Sequence, residues 1–343
     1  MSIRVLARAP SNIAVIKYMG KEDPSLNLPA NPSLSLTLSR LTSWTEIEWH
    51  GPGEFALDWR GASEVGGTAG LRPVDLVSRP EIEKTTRHIL RIANALAPDV
   101  QPGFWKVRSG NRFPSGAGIA SSASGFAALT LAVATALQRF TGVQASIEQL
   151  TALSRQGSGS SCRSFEGPWV EWQGTQVRRL SGDPGLSLCD LVLVVDERSK
   201  QVGSSEAHQR VLSSPLWAGR TDRASSRHAA ICKILGSAGR PSGLERHWRE
   251  FSALCFEEAM DMHELFHSAN PAFSYWTDGT RSVLSWLKSR PELPVAVTLD
   301  AGPNVHLLVP AHEAASLRKQ VEKSFPGLPL LEDEQGTGAE VLE

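Results

Sequence analysis

Pro114-Ser-Gly-Ala-Gly-Ile-Ala-Ser-Ser-Ala-Ser-Gly125 is the stretch on which the reading of the fold turns. Phe104 to Arg108 before it reads as a strand, Pro114 to Gly118 as a glycine-rich turn, and Ser121 to Phe140 as a helix rich in Ala and Leu. Strand, loop and small-residue helix in that order present backbone N–H groups at the positive end of a helix, where missing side chains let a phosphate approach the backbone. A tight structural turn is the competing reading. The loop is not a Walker A element, because no Gly-Lys-Ser/Thr follows, and it fails the dinucleotide fingerprint because Ser121 stands where the third glycine belongs.

Downstream, a helix over Ile147 to Gln156 runs into Gly157-Ser-Gly-Ser-Ser-Cys-Arg163, with a strand at Trp169 to Trp172 beyond it. Ser158 and Ser160 offer hydroxyls and Arg163 a guanidinium that can hold a carboxylate or phosphate in fixed geometry; a flexible connector is the alternative. Upstream, Val5 to Ala9, Ser33 to Leu38 and Thr45 to Trp49 carry strand patterns, and Glu81 to Leu96 has helical spacing. Ala9-Pro-Ser-Asn-Ile-Ala-Val-Ile-Lys17-Tyr-Met-Gly-Lys21 sets two lysines four residues apart with Tyr18 beside the first, either cations for an anionic site or solvated surface lysines.

An apolar strand at Leu191 to Val195 opens a second lobe, followed by helices around Ala224 to Leu235 and His247 to Phe266. Val295 to Leu299 and Val305 to Val309 pair as a hairpin across Asp300-Ala-Gly-Pro-Asn304. Asp300, at a strand end, suits a general base or metal-bearing carboxylate, and equally an Asx turn. His263-Glu-Leu-Phe-His267 satisfies the zinc-protease pattern, which still needs a third ligand and an open coordination position; an ordinary helix is the simpler reading.

With 343 residues the chain exceeds one hydrophobic core, so two domains or one two-lobed unit are expected, and the whole reads as α+β. Lys and Arg number 35 against 36 Asp and Glu, which leaves no basic field for a nucleic-acid partner. No apolar run reaches the ~20 residues that span a bilayer. Cys162, Cys189, Cys232 and Cys255 form no CxxC pair, and no basic-then-apolar leader precedes Arg4, so reduced thiols and a cytoplasmic location are expected.

Taken together, Ala9 to Tyr18, Leu28-Pro-Ala-Asn-Pro-Ser-Leu-Ser-Leu-Thr37, Phe113 to Gly125, Arg155 to Ser164 and Asp300 to Asn304 resemble, in matching order from Ala7 to about Leu342, the diphosphomevalonate decarboxylases of the GHMP kinase superfamily. The resemblance implies a two-lobed GHMP kinase fold, with a ribosomal protein S5 domain 2-like lobe over residues 1–188 and a ferredoxin-like lobe carrying Asp300 over residues 189–343. It implies ATP and Mg²⁺ as cofactors, mevalonate 5-diphosphate as substrate and a homodimer. Pro114, Gly116, Gly118, Ser121 and Ser122 would hold the ATP phosphates, with Mg²⁺ near Ser121. Ser158, Ser160 and Arg163 would hold the organic substrate, Arg163 on its carboxylate, with Tyr18 and Lys21 along the diphosphate. Asp300 would face the C3 hydroxyl with Lys17 beside it, so that Asp300, Lys17 and Arg163 form the catalytic set.

Met19 stands where the family usually carries Trp, Glu22 where Arg is common and Ser205 where several bacterial members have an Arg, which bears on diphosphate affinity. Alternatives within the family are a mevalonate 3-kinase or a phosphomevalonate decarboxylase. Outside it stand an HExxH zinc hydrolase on His263, Glu264 and His267, and a phosphate-binding regulator without activity.

Overall fold

A computed structural model describes residues 2–74, 79–114, 118–180, 185–198, 200–236 and 247–343, to which every statement of absence below refers. Two long antiparallel strands, β1 (Ile3–Ile16) and β2 (Ser33–Trp49), form the spine of the first lobe. The sequence suggested shorter pieces because Pro10 breaks the pattern. The chain accommodates it with a register shift between Pro10 and Asn12, the kind of irregularity where a residue without an N–H is tolerated inside a sheet. A second shift between Ala14 and Ile16 turns the strand end, so that the next residue, Lys17, leaves the sheet.

β3 (Phe104–Asn111) lies along the outer half of β2, and β4 (Trp169–Gln173) along its inner half. Helices α1 (Arg79–Leu96), α2 (Ser121–Thr141) and α3 (Ile147–Gly157) accompany this sheet. Ala123, Ala127, Ala128, Ala132 and Ala136 of α2 are buried, and such small side chains let a helix sit close to a sheet. α3 starts where Ser146 and Gln149 form a reciprocal capping box.

The second sheet is antiparallel, in the order β6 (Ala296–Thr298), β7 (Val305–Pro310), β5 (Leu188–Leu193) and β8 (Leu330–Glu334). The expected hairpin is present, with Ala296 opposite Leu308 and Thr298 opposite His306, which leaves Asp300 in its connecting turn. α4 (Ser204–Arg210), α5 (Arg220–Gly236), α6 (Trp248–Ser268), α7 (Asp278–Lys288) and α8 (Ala314–Ser324) complete this lobe. The last strand, β9 (Glu340–Val341), returns to pair with β1, so the chain's end belongs to the first sheet.

The lobes share a core. Ile13, Ile16, Leu34 and Leu36 of the first pack in one cluster with Val192, Ile231, Phe251 and Leu308 of the second. Continuous apolar burial of this kind, at about 25 cal/mol per Å², makes the seam part of the folded unit rather than a loose domain contact. No helix is long and apolar enough to cross a membrane.

Candidate active site

Lys17 emerges from the first sheet at the seam and is 1% exposed. Its Nζ donates to Asp300 Oδ1 at 2.7 Å, and the carboxylate side chain keeps 23% of its surface open. Burial alone would raise the Asp300 carboxyl. The Lys17 charge, His306, the Lys17 hydrogen bond and Arg163 together outweigh it and hold the group below its ordinary value.

Lys17 is itself fixed from the second lobe. Its backbone N–H donates to Glu258 Oε1 of α6 at 3.0 Å, and its carbonyl accepts from Nη2 of Arg220 and from Asn31 Nδ2. Glu258 and Arg220 are both fully buried and bonded to each other, and Arg227 and Asp261 extend the network. Each charge is thereby compensated, as burial demands.

Arg163 is different. It lies in a short 3₁₀ turn, Gly159–Ser164, and is 3% exposed. Its Nε donates to Ser35 Oγ at 3.1 Å, Nη1 to Ser33 Oγ at 2.9 Å and Nη2 to Asn12 Oδ1 at 3.3 Å. All three acceptors are neutral, and the guanidinium sits 5.7 Å from the Trp172 ring centroid. Five N–H donors are available on a guanidinium, so these bonds orient it without exhausting it. A buried cation without a carboxylate among its hydrogen-bond partners is an incomplete ion pair, suited to an incoming anion.

Tyr18 packs between Trp172 at 4.6 Å and His208 at 4.3 Å. A Cβ on Gly159 would stand 2.5 Å from the Tyr18 ring, so only glycine permits this approach. His208, kept neutral by burial with its imidazole lowered to about 3, accepts the Gly20 N–H at 3.0 Å and so shapes the turn leading to Lys21. Lys21 donates to Asn27 Oδ1 at 2.7 Å.

Pro114 and Gly118 lie between β3 and α2, and Ser121 and Ser122 open α2, whereas Gly116 lies outside the described residues. Ala120, at the N-cap of α2, has φ 52° and supplies no side-chain cap. Gly118 has φ 79°, and a Cβ there would stand 2.7 Å from Gly302 Cα. Backbone thus meets backbone, and the candidate phosphate loop abuts the Asp300 turn. Ser158 Oγ reaches Ser122 Oγ at 3.4 Å, joining the two Gly/Ser loops, while Ser160 offers its carbonyl to Asn12 Nδ2 at 3.3 Å.

Three participants escaped the sequence reading. Asn12 orients Arg163, His208 supports Tyr18, and Lys200 donates to the Ala301 carbonyl at 3.0 Å, beside the Asp300 turn. Asn12 alone left a signal, since it lies in the quoted Ala9 to Lys21 stretch.

The HExxH pattern is helix. His263 is buried, with its ring against Trp276 at 5.2 Å and 6.4 Å from that of His267, and no third ligand joins them among the described residues. Burial lowers His263 to about 3 and keeps it neutral. Of the departures from the expected pattern, Met19 is buried beside Ala207, Met262 and Phe266, while Glu22 and Ser205 are exposed.

Residues 9–181 match the family model for the diphosphomevalonate decarboxylase-like N-terminal domain, and residues 190–340 match the mevalonate 5-diphosphate decarboxylase C-terminal domain. The chain belongs to the diphosphomevalonate decarboxylase family. Among members of that family, the diphosphomevalonate decarboxylase of Bos taurus is 31% identical over 94% of this chain and 80% of its own length. The crystal structure of a mevalonate diphosphate decarboxylase from Legionella pneumophila is 34% identical, with TM-score 0.81 over 96% of this chain and all of its own. MDDEF, in complex with MVAPP, AMPPCP and magnesium, is 26% identical with TM-score 0.84 over all of both chains. The α+β, two-lobed GHMP kinase fold of these decarboxylases is the fold of this chain.

Proposed function

We propose that the chain uses Mg-ATP to convert mevalonate 5-diphosphate into isopentenyl diphosphate, CO₂, ADP and phosphate, with Asp300, Lys17 and Arg163 at the reacting centre. The observation that carries this reading is the pairing of Lys17 with Asp300 at 2.7 Å next to a buried Arg163 that has no carboxylate among its hydrogen-bond partners. An acid-base group and an anion receptor stand side by side, as a substrate bearing both a hydroxyl and a carboxylate requires.

A tertiary alcohol leaves poorly, so the C3 hydroxyl is first phosphorylated. Asp300 accepts a hydrogen bond from that hydroxyl and takes its proton as the O–P bond forms. Its depressed pKa makes it a weak base, which suits phosphoryl transfer, where the nucleophile's proton departs late and positioning dominates. Phosphate then leaves from C3, and the carboxylate held on Arg163 loses CO₂, its C–C bonding pair becoming the new double bond. Product no longer carries the anion that completed the Arg163 pair.

Ser158 and Ser160 line the organic part of the substrate, and Tyr18 and Lys21 its diphosphate. Pro114, Gly118, Ser121 and Ser122 form the ATP phosphate cradle at the end of α2 that no side chain caps, and the family resemblance adds Gly116, outside the described residues, to this set. Ser121 would lie near the Mg²⁺ that accompanies ATP, which would neutralise charge on the phosphates. On this reading residues 1–188 carry the phosphate loop and residues 189–343 carry Asp300, two copies of the chain form a dimer, and the enzyme works in the cytoplasm.

ADP and CO₂ release, measured in parallel with mevalonate, its 5-phosphate and its 5-diphosphate, tests the assignment. Equal ADP and CO₂ with the diphosphate alone supports it. ADP without CO₂, or preference for a less phosphorylated substrate, replaces it with a kinase or a monophosphate decarboxylase.

Lys17→Met provides a test by pH. In the native protein Asp300 is held below its ordinary value, so the acid limb of kcat/KM that it controls lies below the ordinary carboxylate range. Without the Lys17 charge and hydrogen bond, two of the contributions that oppose desolvation are gone and the limb moves to higher pH. A profile from acid to neutral pH that is superimposable for the two proteins would separate Asp300 ionisation from Lys17.

A further inference from the structure

Glu171 of β4 and His228 and Cys232 of α5 converge on one point at the seam, on the outer side of the substrate wall. His228 and Cys232 are four residues apart and so share one face of α5. His228 Nε2 lies 2.9 Å from Glu171 Oε1 and 3.4 Å from Cys232 Sγ, and the three donor atoms fall within 4.8 Å of one another. Tetrahedral zinc, with bonds of about 2.0–2.3 Å, needs its ligand atoms about 3.4–3.6 Å apart; the His228–Cys232 pair is already at that spacing, the His228–Glu171 pair must open by about half an ångström, and Glu171 and Cys232 lie within 4.8 Å.

We propose that Glu171, His228 and Cys232 form a binding site for a divalent cation of the zinc class, bridging the two lobes.

The donor set selects the metal. One imidazole nitrogen, one thiolate sulfur and one carboxylate oxygen suit Zn²⁺, whereas Mg²⁺, with its preference for six oxygens, gains little from sulfur. Arg178 bonds the second Glu171 oxygen, which leaves Glu171 to bind through Oε1 alone. Glu171 and His228 are buried, while Cys232 is partly open and gives the ion a way in. With three protein ligands, the fourth position of a tetrahedral ion would be taken by water.

The placement gives the site a purpose. β4 belongs to the first sheet and α5 to the second lobe, so a shared ion cross-braces them. Trp172, the next residue on β4, lies against Tyr18 and Arg163 on the substrate side. An ion on Glu171 therefore stiffens the strand that carries this wall. Metal coupling to folding stability follows from selective binding to the native state.

The test is a titration of metal-free, reduced full-length protein with Zn²⁺ against a chromophoric chelator, without nucleotide, paired with Co²⁺ substitution read in the visible and near-ultraviolet. One equivalent of Zn²⁺, a thiolate-to-cobalt charge-transfer band, and loss of both in Cys232→Ser with unchanged far-ultraviolet circular dichroism are expected. His267→Gln, on the HExxH helix, should keep both signals. Absence of stoichiometric binding in the native protein, an unchanged equivalent in Cys232→Ser, or loss in His267→Gln with retention in Cys232→Ser would each overturn the assignment.

Discussion

Asp300→Asn is expected to lower kcat by about 10³-fold or more, equivalent to about 4 kcal/mol of transition-state stabilisation, with ATP affinity changed by no more than about two-fold. The amide keeps the shape of the side chain but carries no charge and cannot take a proton. Lys17 then loses its 2.7 Å ion-pair partner, and the hydroxyl loses the base that takes its proton. The nucleotide contacts assigned to the α2 end do not include Asp300, so binding and turnover should separate cleanly. Single-turnover ADP formation with the diphosphate substrate, alongside calorimetric ATP binding, measures both. Near-normal turnover would remove Asp300 from the chemistry, and joint loss of binding and turnover would mean that the variant had disturbed the cleft as a whole.

Arg163→Ala should raise KM for mevalonate 5-diphosphate and lower CO₂ release, with a combined loss in kcat/KM of about 10³-fold. A charge-assisted bond to a carboxylate in a dry site is worth about 1.5–3 kcal/mol, and truncation also strands Ser33, Ser35 and Asn12 without their shared donor. The ratio of CO₂ to ADP is the discriminating readout. A receptor for the substrate carboxylate affects the second half-reaction as well as binding, so the ratio should fall below unity. If ATP binding alone were lost, Arg163 would belong to the nucleotide.

Much of the scaffold could be read in advance where local signals and tertiary packing agree. The strand before Pro114 and the helix from Ser121 are there, and the expected hairpin flanks Asp300. Pro10 concealed the length of β1, because a bulge inside a paired strand is a tertiary solution to a local defect. The helix α7 left an unread signal in Thr277 and Thr280, which form a capping box, and α8 left one in the spacing of Leu317 and Val321.

The site was legible as residue types but not as contacts. Lys17 and Asp300 are 283 positions apart, and only the resemblance paired them. His208 and Lys200 sit in polar stretches whose composition matches any exposed loop. Their roles arise when the chain lays one imidazole against Tyr18 and one ammonium against the Ala301 carbonyl. The family resemblance named the neighbours of the reacting atoms; packing chose the residues that hold those neighbours still.

The carboxylate of Glu258 has one more effect. Because it grips the backbone N–H of Lys17 from the opposite lobe, any relative rotation of the lobes carries Lys17 together with Asp300. A hinge through that point would sacrifice a buried charged hydrogen bond, worth about 1.5–3 kcal/mol. The Lys17–Asp300 pair, to which the proposed function gives the proton step, is thus assembled without substrate.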